Sequence, residues 1–261
     1  MVEKKIYSVI EENWDICFPG KKHKSPGNII IEKIKFKGSS RVFKCTISDE
    51  KKISLFAKIT TYSNESEFLA LKNIYSFFEP SSNFRIPKPI AYDKESNILL
   101  TEYLEGVTLN SKILKYLLHG ISLFSSKVLE SVATKIANWV VHFENSTGVT
   151  GNKKLKVDDI LIKLDKTNLS ESDKNKIKSS INFSGTIILP SYHINDGFHP
   201  NNIILTKKGL SVVDWSCTYE APIFTMMSIF LRKMEQKARY NVISSKAMDY
   251  FLKKVIDKYL S

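Results

Sequence analysis

Two side chains with oxygen donors flank a short stretch that has the pattern of a β-hairpin. Asn202 begins an apolar run that ends at Leu205, and Asp214 directly follows a second run at 210–213. The Lys208–Gly209 pair between the runs is a turn signal. Mg²⁺ prefers carboxylate and carbonyl oxygens as ligands. A tight hairpin would bring Asn202 and Asp214 together, within the coordination radius of one ion. Taken alone, each residue fits a structural role better, as a turn cap or a strand end.

The elements that would position this hairpin begin with a strand-rich segment between about residues 28 and 105. One helical pattern interrupts the segment, from Glu65 to about Phe78, with Phe68, Leu71 and Ile74 on one face. Apolar and β-branched residues predict strands at 29–31, 41–47, 53–59 and 97–104. We therefore predict an antiparallel N-terminal sheet with one helix.

The chain changes to helical patterns after Gly106. Apolar residues recur at steps of three and four over about 124–143 and again over about 247–260. A polar, lysine-rich stretch at 165–180 predicts a surface excursion. Together these patterns predict an α+β protein with an N-terminal lobe over residues 1–105. A mainly helical C-terminal lobe, residues 106–261, would carry the hairpin.

Composition limits the class of protein. Of the 261 residues, 43% are hydrophobic and 25% are charged, which predicts a globular protein with a core. The formal charge of +12 favours polyanionic partners, such as nucleotide phosphates, nucleic acid or an anionic membrane surface. A compositional bias of the genome explains that charge equally well. Three widely spaced cysteines without a CxxC pair indicate neither a disulfide framework nor a zinc site.

Hydropathy predicts a location for the chain. No run of 18 apolar residues occurs, so no membrane span is expected. Residues 1–12 lack the apolar centre of a signal peptide. We therefore expect a cytoplasmic protein, and the basic charge leaves open a peripheral contact with a membrane surface.

The residues around the hairpin resemble segments of a known protein family. Residues 193–205 read HINDGFHPNNIIL, and residues 212–215 read VVDW. This composite resembles the H-G-D-x-H-P-x-N motif, hairpin and [ILV]-D-W motif of the aminoglycoside phosphotransferase and choline kinase superfamily. The resemblance covers about residues 36–230 and implies a bilobal protein-kinase-like fold. It also implies that Asn202 and Asp214 are Mg²⁺ ligands and that His199 is a buried residue that braces the loop.

The phosphate-binding parts of the family have counterparts upstream. The strand SLFAKI at 54–59 resembles the V-A-I-K strand of kinases, which implies that Lys58 holds the α- and β-phosphates of ATP. Glu67 opens the predicted helix in a match to the family pattern E-x-x-x-L-x-x-[IL]. The resemblance implies that Glu67 forms the ion pair that orients Lys58, with Glu65 as a competitor for this role.

A loop that covers the nucleotide phosphates is implied between two predicted strands. The segment at 36–44 reads FKGSSRVFK and lies where this loop belongs in the family. Gly38 permits unusual backbone angles, and Ser39 and Ser40 offer hydroxyl donors. Arg41 is a further candidate for a phosphate contact.

The base of the nucleotide has its own implied site. The segment at 97–106 reads NILLTEYLEG and resembles the fifth strand and hinge of the family. The resemblance implies that the backbone carbonyl of Glu102 and the backbone amide of Leu104 bind adenine. Gly106 would then let the chain turn into the second lobe.

The sequence departs from the family in the catalytic loop. The family's catalytic aspartate lies five residues before the metal asparagine, where this chain has Gly197, and Asp196 lies six before. If Gly197 lets Asp196 take that place, Asp196 is the base that orients the acceptor hydroxyl. If it does not, the chain is a catalytically silent, kinase-like nucleotide-binding module. His193 is a further candidate base. Thr225 replaces a second family aspartate downstream.

The residues and the resemblance together predict a small-molecule kinase. It would use ATP and Mg²⁺ to phosphorylate a hydroxyl group, with Asp196 acting on the acceptor. The basic character of residues 112–180 disfavours a cationic aminoglycoside and favours an acidic sugar or a cell-surface glycolipid precursor as acceptor. No nucleic acid is expected as a partner, because the sequence has no interleaving of aromatic and basic residues.

Overall fold

The computed structural model describes residues 2–20, 29–37, 40–47, 53–78, 83–118, 123–165, 171–180, 185–207, 209–240 and 245–261. The predicted phosphate-loop residues Gly38 and Ser39 and the predicted turn residue Lys208 lie outside these ranges. None of the described helices is both long and apolar enough to cross a membrane.

The described residues contain twelve strands and nine helices, which confirms the predicted α+β class. The strands are β1 (Ile29–Lys37), β2 (Ser40–Ile47), β3 (Ile53–Thr60), β4 (Phe84–Arg85), β5 (Pro89–Asp93), β6 (Ile98–Glu102), β7 (Val107–Thr108), β8 (Gly151–Lys156), β9 (Thr186–Asn195), β10 (Ile203–Leu205), β11 (Leu210–Val212) and β12 (Thr218–Pro222). The helices are α1 (Val2–Glu12), α2 (Trp14–Cys17), α3 (Glu65–Tyr75), α4 (Leu109–Leu118), α5 (Leu123–Thr147), α6 (Val157–Asp165), α7 (Glu171–Ser180), α8 (Thr225–Tyr240) and α9 (Ser245–Leu260).

A five-stranded antiparallel sheet, in the order β1-β2-β3-β6-β5, forms the N-terminal part as predicted. Successive side chains of a strand point to opposite faces, and β3 shows the consequence. Leu55 and Ala57 pack into a hydrophobic cluster on one face. Phe56 and Lys58 line a cavity on the other face. The alternation in β3 thus places a charged residue in the cavity while its neighbours fill the core.

Helices α1 and α2 cover the cluster side of this sheet, and we had not predicted them. Ile6, Val9 and Ile10 are spaced as on one helical face, and all three are buried in the cluster. Trp14 and Phe18 follow and pack their rings together, with centroids 4.7 Å apart. This N-terminal segment therefore closes the face of the sheet that would otherwise expose its apolar residues.

A second, larger hydrophobic cluster surrounds α5 and α9. Trp139 of α5 is fully buried and stacks on Phe143 and Phe198, at centroid distances of 5.3 and 5.4 Å. Leu71 and Ile74 of α3 belong to this cluster and not to the cluster beneath the sheet. Helix α3 is thereby held against the C-terminal part of the chain. The division into lobes at residue 105 stays a prediction.

The C-terminal part contains more strand than we predicted. Besides the predicted hairpin, strands β8, β9 and β12 form a three-stranded antiparallel sheet in the order β12-β9-β8, which we had not predicted. Strand β8 lies at an edge of this sheet, where Lys153 and Lys154 are exposed. Its sequence therefore lacks the alternation of apolar and polar residues that would predict a strand. The predicted surface excursion at 165–180 contains helix α7.

The predicted hairpin is confirmed as β10 and β11, with Ile203 opposite Val212. It forms a small sheet with β4 and β7. Gly106 lies just before β7, where a Cβ atom would come within 2.4 Å of the Leu205 carbonyl oxygen. Gly106 is therefore required by the close approach of β10, which brings the hairpin against the segment that follows β6.

Candidate active site

Lys58 lies at the centre of a buried ion network. Its Nζ atom donates to Glu67 Oε2 at 2.7 Å and to Asp214 Oδ1 at 2.8 Å, and its side chain is 7% exposed. The three residues come from β3, from the first turn of α3 and from the segment after β11. The structure thus brings together three of the predicted site residues across 156 positions of sequence.

Glu67 and Glu65 differ sharply in position, although only one residue separates them. Glu67 is buried and accepts hydrogen bonds from Lys58 and from the backbone N–H of Trp215, the latter at 3.1 Å. Glu65 is exposed at the helix start. The geometry therefore favours Glu67 over Glu65 as the partner that orients Lys58.

Charge pairing shifts the pKa values in this network. Burial by itself would lower the pKa of Lys58, but the nearby carboxylates of Glu67 and Asp214 outweigh burial and raise that pKa. Burial opposes ionisation of Asp214 too, yet the Lys58 ammonium lowers the Asp214 pKa below its ordinary value. Lys58 and Asp214 are therefore both charged at neutral pH.

Asp214 and Asn202 meet at the open end of the hairpin. The Val213 amide donates to the Asn202 carbonyl at 2.9 Å, which closes the ladder beyond β10 and β11. Asn202 Nδ2 lies 3.4 Å from Asp214 Oδ2, and the Asp214 side chain is 41% exposed. Asp214 has a φ of +65°, a left-handed conformation that aspartate tolerates better than most residues.

These two residues fit a Mg²⁺ ion through the chemistry of their oxygens. Mg²⁺ is often held by one or two protein oxygen ligands and completes its shell with waters and substrate phosphates. Asp214 supplies an accessible carboxylate, and the neighbouring Asn202 side chain, whose amide nitrogen faces Asp214 Oδ2, carries an amide oxygen as a second ligand. Among the described residues no group of three or more His, Cys, Asp or Glu side chains could hold a metal. The fit is therefore to a metal that arrives with phosphates.

The loop from Asn195 to Asn202 is organised by a residue that we had not singled out. Asn195 is fully buried, and its side chain accepts from the Gly197 amide at 2.8 Å and donates to the Asp214 carbonyl at 3.1 Å. The Asn202 side chain donates to the Gly197 carbonyl at 3.1 Å. Only its place in the family-like motif pointed to Asn195, since a single Asn carries no periodic signal.

Gly197 occupies the position of the family's aspartate and has no room for a side chain. A Cβ atom there would lie 2.8 Å from the Asp214 carbonyl oxygen and 2.9 Å from Asn195 Oδ1. Asp196 is exposed instead, and its backbone N–H donates to the Cys217 carbonyl at 3.0 Å. The loop thus presents its carboxylate one residue earlier than the family does.

Two histidines near the loop have different surroundings. His199 is half-buried, so the expectation of a buried residue was wrong; the adjacent Phe198 fills the core in its place. The His199 carbonyl accepts from the Asn202 amide at 2.8 Å, which is consistent with a bracing role. His193 is exposed near the C-terminal end of β9, opposite Glu220 of β12.

A cavity of about 290 Å³ opens beside the ion network. The predicted residues Ser40, Lys58, Glu67, Glu102, Leu104, Asn202 and Asp214 line it. The backbone amide of Glu102 donates to the Lys88 carbonyl, and that of Tyr103 donates to the Ser54 carbonyl. The Glu102 side chain pairs with Arg85. Arg41 is exposed and is not among the residues that line the cavity.

The apolar walls of the cavity were not predicted as site residues. Val42 and Leu99 lie on either side of Lys58 in the sheet, and Ile204 and Val213 form the wall on the side of the hairpin. The alternation of side chains along the strands could have predicted Val42 and Leu99 as wall residues. Both pair directly with Lys58 in the sheet, so their side chains point to the same face as Lys58. An apolar cavity beside a cation and two oxygen donors can hold a planar base and its phosphates.

Several solved structures share this fold. An amicoumacin kinase in complex with AMP-PNP, Ca²⁺ and Ami is 12% identical, with a TM-score of 0.54 and coverage of 99% of this chain and 79% of that chain. A choline kinase from Cryptosporidium parvum Iowa II is 13% identical, with a TM-score of 0.50 and coverage of 99% and 80%. A macrolide 2′-phosphotransferase from Brachybacterium faecium is 10% identical, with a TM-score of 0.50 and coverage of 98% and 83%.

The likeness establishes the fold and no more. The predicted kinase-like α+β fold is confirmed over nearly the whole chain. No family model matches the chain, and no curated protein matches it. At identities of 10–13% the chain is a divergent example of this fold, and its function has to be argued from its own site.

Proposed function

We propose that this chain is a phosphotransferase that binds ATP with Mg²⁺ and transfers the γ-phosphoryl group to a hydroxyl of a small molecule. The observation that carries the proposal is the position of Lys58, which joins Glu67 and Asp214 within 2.8 Å at the edge of the cavity. Phosphoryl transfer relies mainly on positioning and on neutralising the charge of the phosphates. A fixed cation on β3 and two oxygen ligands at the open end of the β10–β11 hairpin meet that need.

Each residue then has a defined task. Glu67 keeps Lys58 extended into the cavity, where its ammonium binds the α- and β-phosphates. Asn202 and Asp214 would hold Mg²⁺, which neutralises phosphate charge when bound. Because Asp214 also contacts Lys58 directly, a bound nucleotide replaces that contact with phosphate oxygens. The base lies between the sheet and the hairpin, with Glu102 and Leu104 at its edge.

Asp196 is the proposed base for the acceptor hydroxyl. It is exposed, so an incoming acceptor can reach its carboxylate. The bond from its amide to Cys217 and the bonds of Asn195 fix the backbone on either side. Asp196 would accept the proton of the hydroxyl as the hydroxyl oxygen attacks the γ-phosphorus and the bond to the β–γ bridging oxygen breaks.

An acidic sugar or a glycolipid precursor is the proposed acceptor. Strand β9 leads directly into the loop at Asn195, and its partner β8 carries exposed Lys153, Lys154 and Lys156. These lysines pair with residues 186–189 of β9, the strand that ends at the proposed catalytic loop, and their positive charge would favour the approach of an anionic acceptor over a cationic one.

Thermal unfolding with nucleotide tests the binding half of the proposal. Ligand at a hundred times its dissociation constant adds about 2.7 kcal/mol of stability. For a chain of this size the midpoint should rise by roughly 5–10 °C with ATP plus Mg²⁺. No shift with either ATP or ATP plus Mg²⁺ would contradict the proposal.

A second candidate function is nucleotide binding without transfer. The lack of room at Gly197 favours it, because no aspartate can take the usual place. Asp196→Asn separates the two functions, with Glu220→Gln on exposed β12 as the control. If Asp196 is the base, turnover with acidic sugar acceptors falls about a hundredfold or more while the thermal shift with ATP is retained. If no acceptor supports turnover in the wild type and ATP still stabilises it, the silent module is the better description.

A further inference from the structure

A second groove adjoins the nucleotide cavity along the segment after β6. It has a volume of about 970 Å³ and shares Tyr103, Leu104 and Gly106 with the cavity. The segment 103–107, one face of α5 and the end of the hairpin at 205–207 form most of its walls. We call it the hinge groove. Its residues do not include Lys58, Asp214 or the loop at 195–202, so the proposed reaction does not use it.

The hinge groove is strongly basic. Five of its fifteen lining residues are cationic, compared with 39 of 261 in the whole chain, so the general basicity of the protein does not account for it. Glu105 is the one carboxylate among these fifteen. The cations are Arg85, Lys112, Lys127, Lys135 and Lys207.

Most of this positive charge is not balanced by carboxylates. Arg85 pairs with Glu102. Lys127, Lys135 and Lys207 form no ion pair within the part of the chain that the structure describes. Like charges that converge on one concave surface with apolar walls produce a focused positive potential. Such an arrangement attracts anions to the groove.

The spacing of the cations indicates the size of that anion. Lys127 and Lys135 are eight residues apart on α5, which is about 12 Å along the helix axis. Ser131 lies between them on the same face, and Lys207 approaches from the hairpin. Three lysine side chains spread over this length can bind phosphate groups placed one after another along the groove. A ligand that carries several phosphates in a row can contact all three.

The shape of the groove and the type of its cations narrow the ligand further. A concave volume of this size suits a small molecule, whereas a membrane surface is flat. Four of the five cations are lysines, whose compact charges bind phosphate oxygens without demanding one geometry. We propose that the hinge groove is a second binding site, distinct from the nucleotide cavity, for a small ligand that carries several linked phosphate groups.

Calorimetric titration with inorganic tripolyphosphate tests this site. The test variant is Lys127→Gln/Lys135→Gln, and the matched control is Lys4→Gln/Lys5→Gln, which removes the same charge from exposed positions of α1 outside both cavities. We expect binding to the test variant to be at least about tenfold weaker than to the wild type, since each lost contact involves charged partners. The control should stay within about twofold. The residues of the Lys58 cavity are unchanged in both variants, so binding there cannot imitate the loss.

Three results would overturn the proposal. The first is equal affinity of the wild type and the test variant. The second is an equal loss in the test variant and the control, which would indicate attraction by net charge alone. The third comes from titration with a short oligothymidylate in the same buffers. If it binds more tightly than tripolyphosphate and loses affinity in the test variant alone, the groove is a nucleic-acid site.

Discussion

Lys58 and Asp196 are the two charged residues on which the proposed reaction depends most, and their surroundings are opposite. The Lys58 ammonium is 7% exposed and contacts two carboxylates, each with further hydrogen bonds to the chain. Asp196 is exposed, and its carboxylate accepts no hydrogen bond from the residues that the structure describes. The conformation of the Lys58 side chain is therefore fixed by its two carboxylate partners. No hydrogen bond from the described residues fixes the conformation of the Asp196 carboxylate.

This difference separates binding from transfer. Buried charges must be paired in a fixed geometry, because an unpaired buried charge costs several kcal/mol. The proposed nucleotide-binding part is consequently formed before a ligand arrives. In the proposed reaction the Asp196 carboxylate would gain its geometry from contact with the acceptor, so a substitution of Asp196 itself can change activity without disturbing the fold.

The largest expected effect is a loss of turnover when the ion network around Lys58 is changed. Asp214→Asn removes the carboxylate that contacts Lys58 and would hold Mg²⁺. We expect turnover to fall by about a hundredfold or more, because charge stabilisation dominates this chemistry. ATP should then stabilise the variant equally with and without Mg²⁺. Asp158→Asn on exposed α6 is the control, and Mg²⁺-dependent turnover that survives in Asp214→Asn would refute the metal assignment.

Glu67→Gln against Glu65→Gln is a matched test of burial. Glutamine at 67 can still accept from the Trp215 amide but no longer neutralises Lys58. Removing one partner of a buried pair costs about 3 kcal/mol or more of unfolding free energy. Glu65 is exposed, so its variant should stay within about 0.5 kcal/mol of the wild type. Urea unfolding measures both, and equal effects would show that Glu67 is not the structural partner of Lys58.

Gly197→Ala tests how tightly the loop is packed beneath Asp196. The added Cβ would lie 2.8 Å from the Asp214 carbonyl oxygen, so we expect a loss of about 1–3 kcal/mol. Gly151→Ala is the control, because its Cβ would meet Ser191 Oγ at 3.4 Å, an ordinary contact. The exchange Asp196→Gly/Gly197→Asp should destabilise further and should not increase turnover. A gain in turnover would mean that the loop can rearrange around an aspartate at 197.

The smallest expected effect is on the reactivity of the three cysteine thiols, which contrast buried and exposed positions in the same way as Lys58 and Asp196 do. Burial raises the pKa of Cys17 and of Cys45 to about 12, whereas Cys217 beside the loop is exposed. Thiolates are the reactive form, so one thiol per chain should react with a disulfide reagent at pH 8 and three after unfolding. Since the folded pKa is raised, the stability from these neutral thiols is complete below about pH 8 and is lost as pH rises toward 12. Rapid reaction of all three in the native state would contradict the packing of the N-terminal cluster.

Several parts of the fold could be read from local patterns. The alternation in β3 and the three–four spacing in α5 each encode one buried face, and both elements form where predicted. The three-stranded sheet was not predicted because β8, with the sequence GNKKLK, has one apolar residue among polar ones and so shows no alternating pattern. Helix α1 was not predicted although Ile6, Val9 and Ile10 carry a helical pattern, because three apolar positions in a helix of 11 residues give only a short periodic signal.

The sequence by itself determined which chemical groups the candidate site can contain. The types and order of Lys58, Glu67, Asn202 and Asp214 are fixed by the covalent chain. Only the tertiary structure decided between Glu67 and Glu65, since a distance of 2.7 Å to Lys58 depends on how α3 packs against the larger hydrophobic cluster. Only the tertiary structure revealed that position 197 has no space for a side chain. Contacts between distant segments depend on packing and on chain geometry, and no local pattern of residues encodes them.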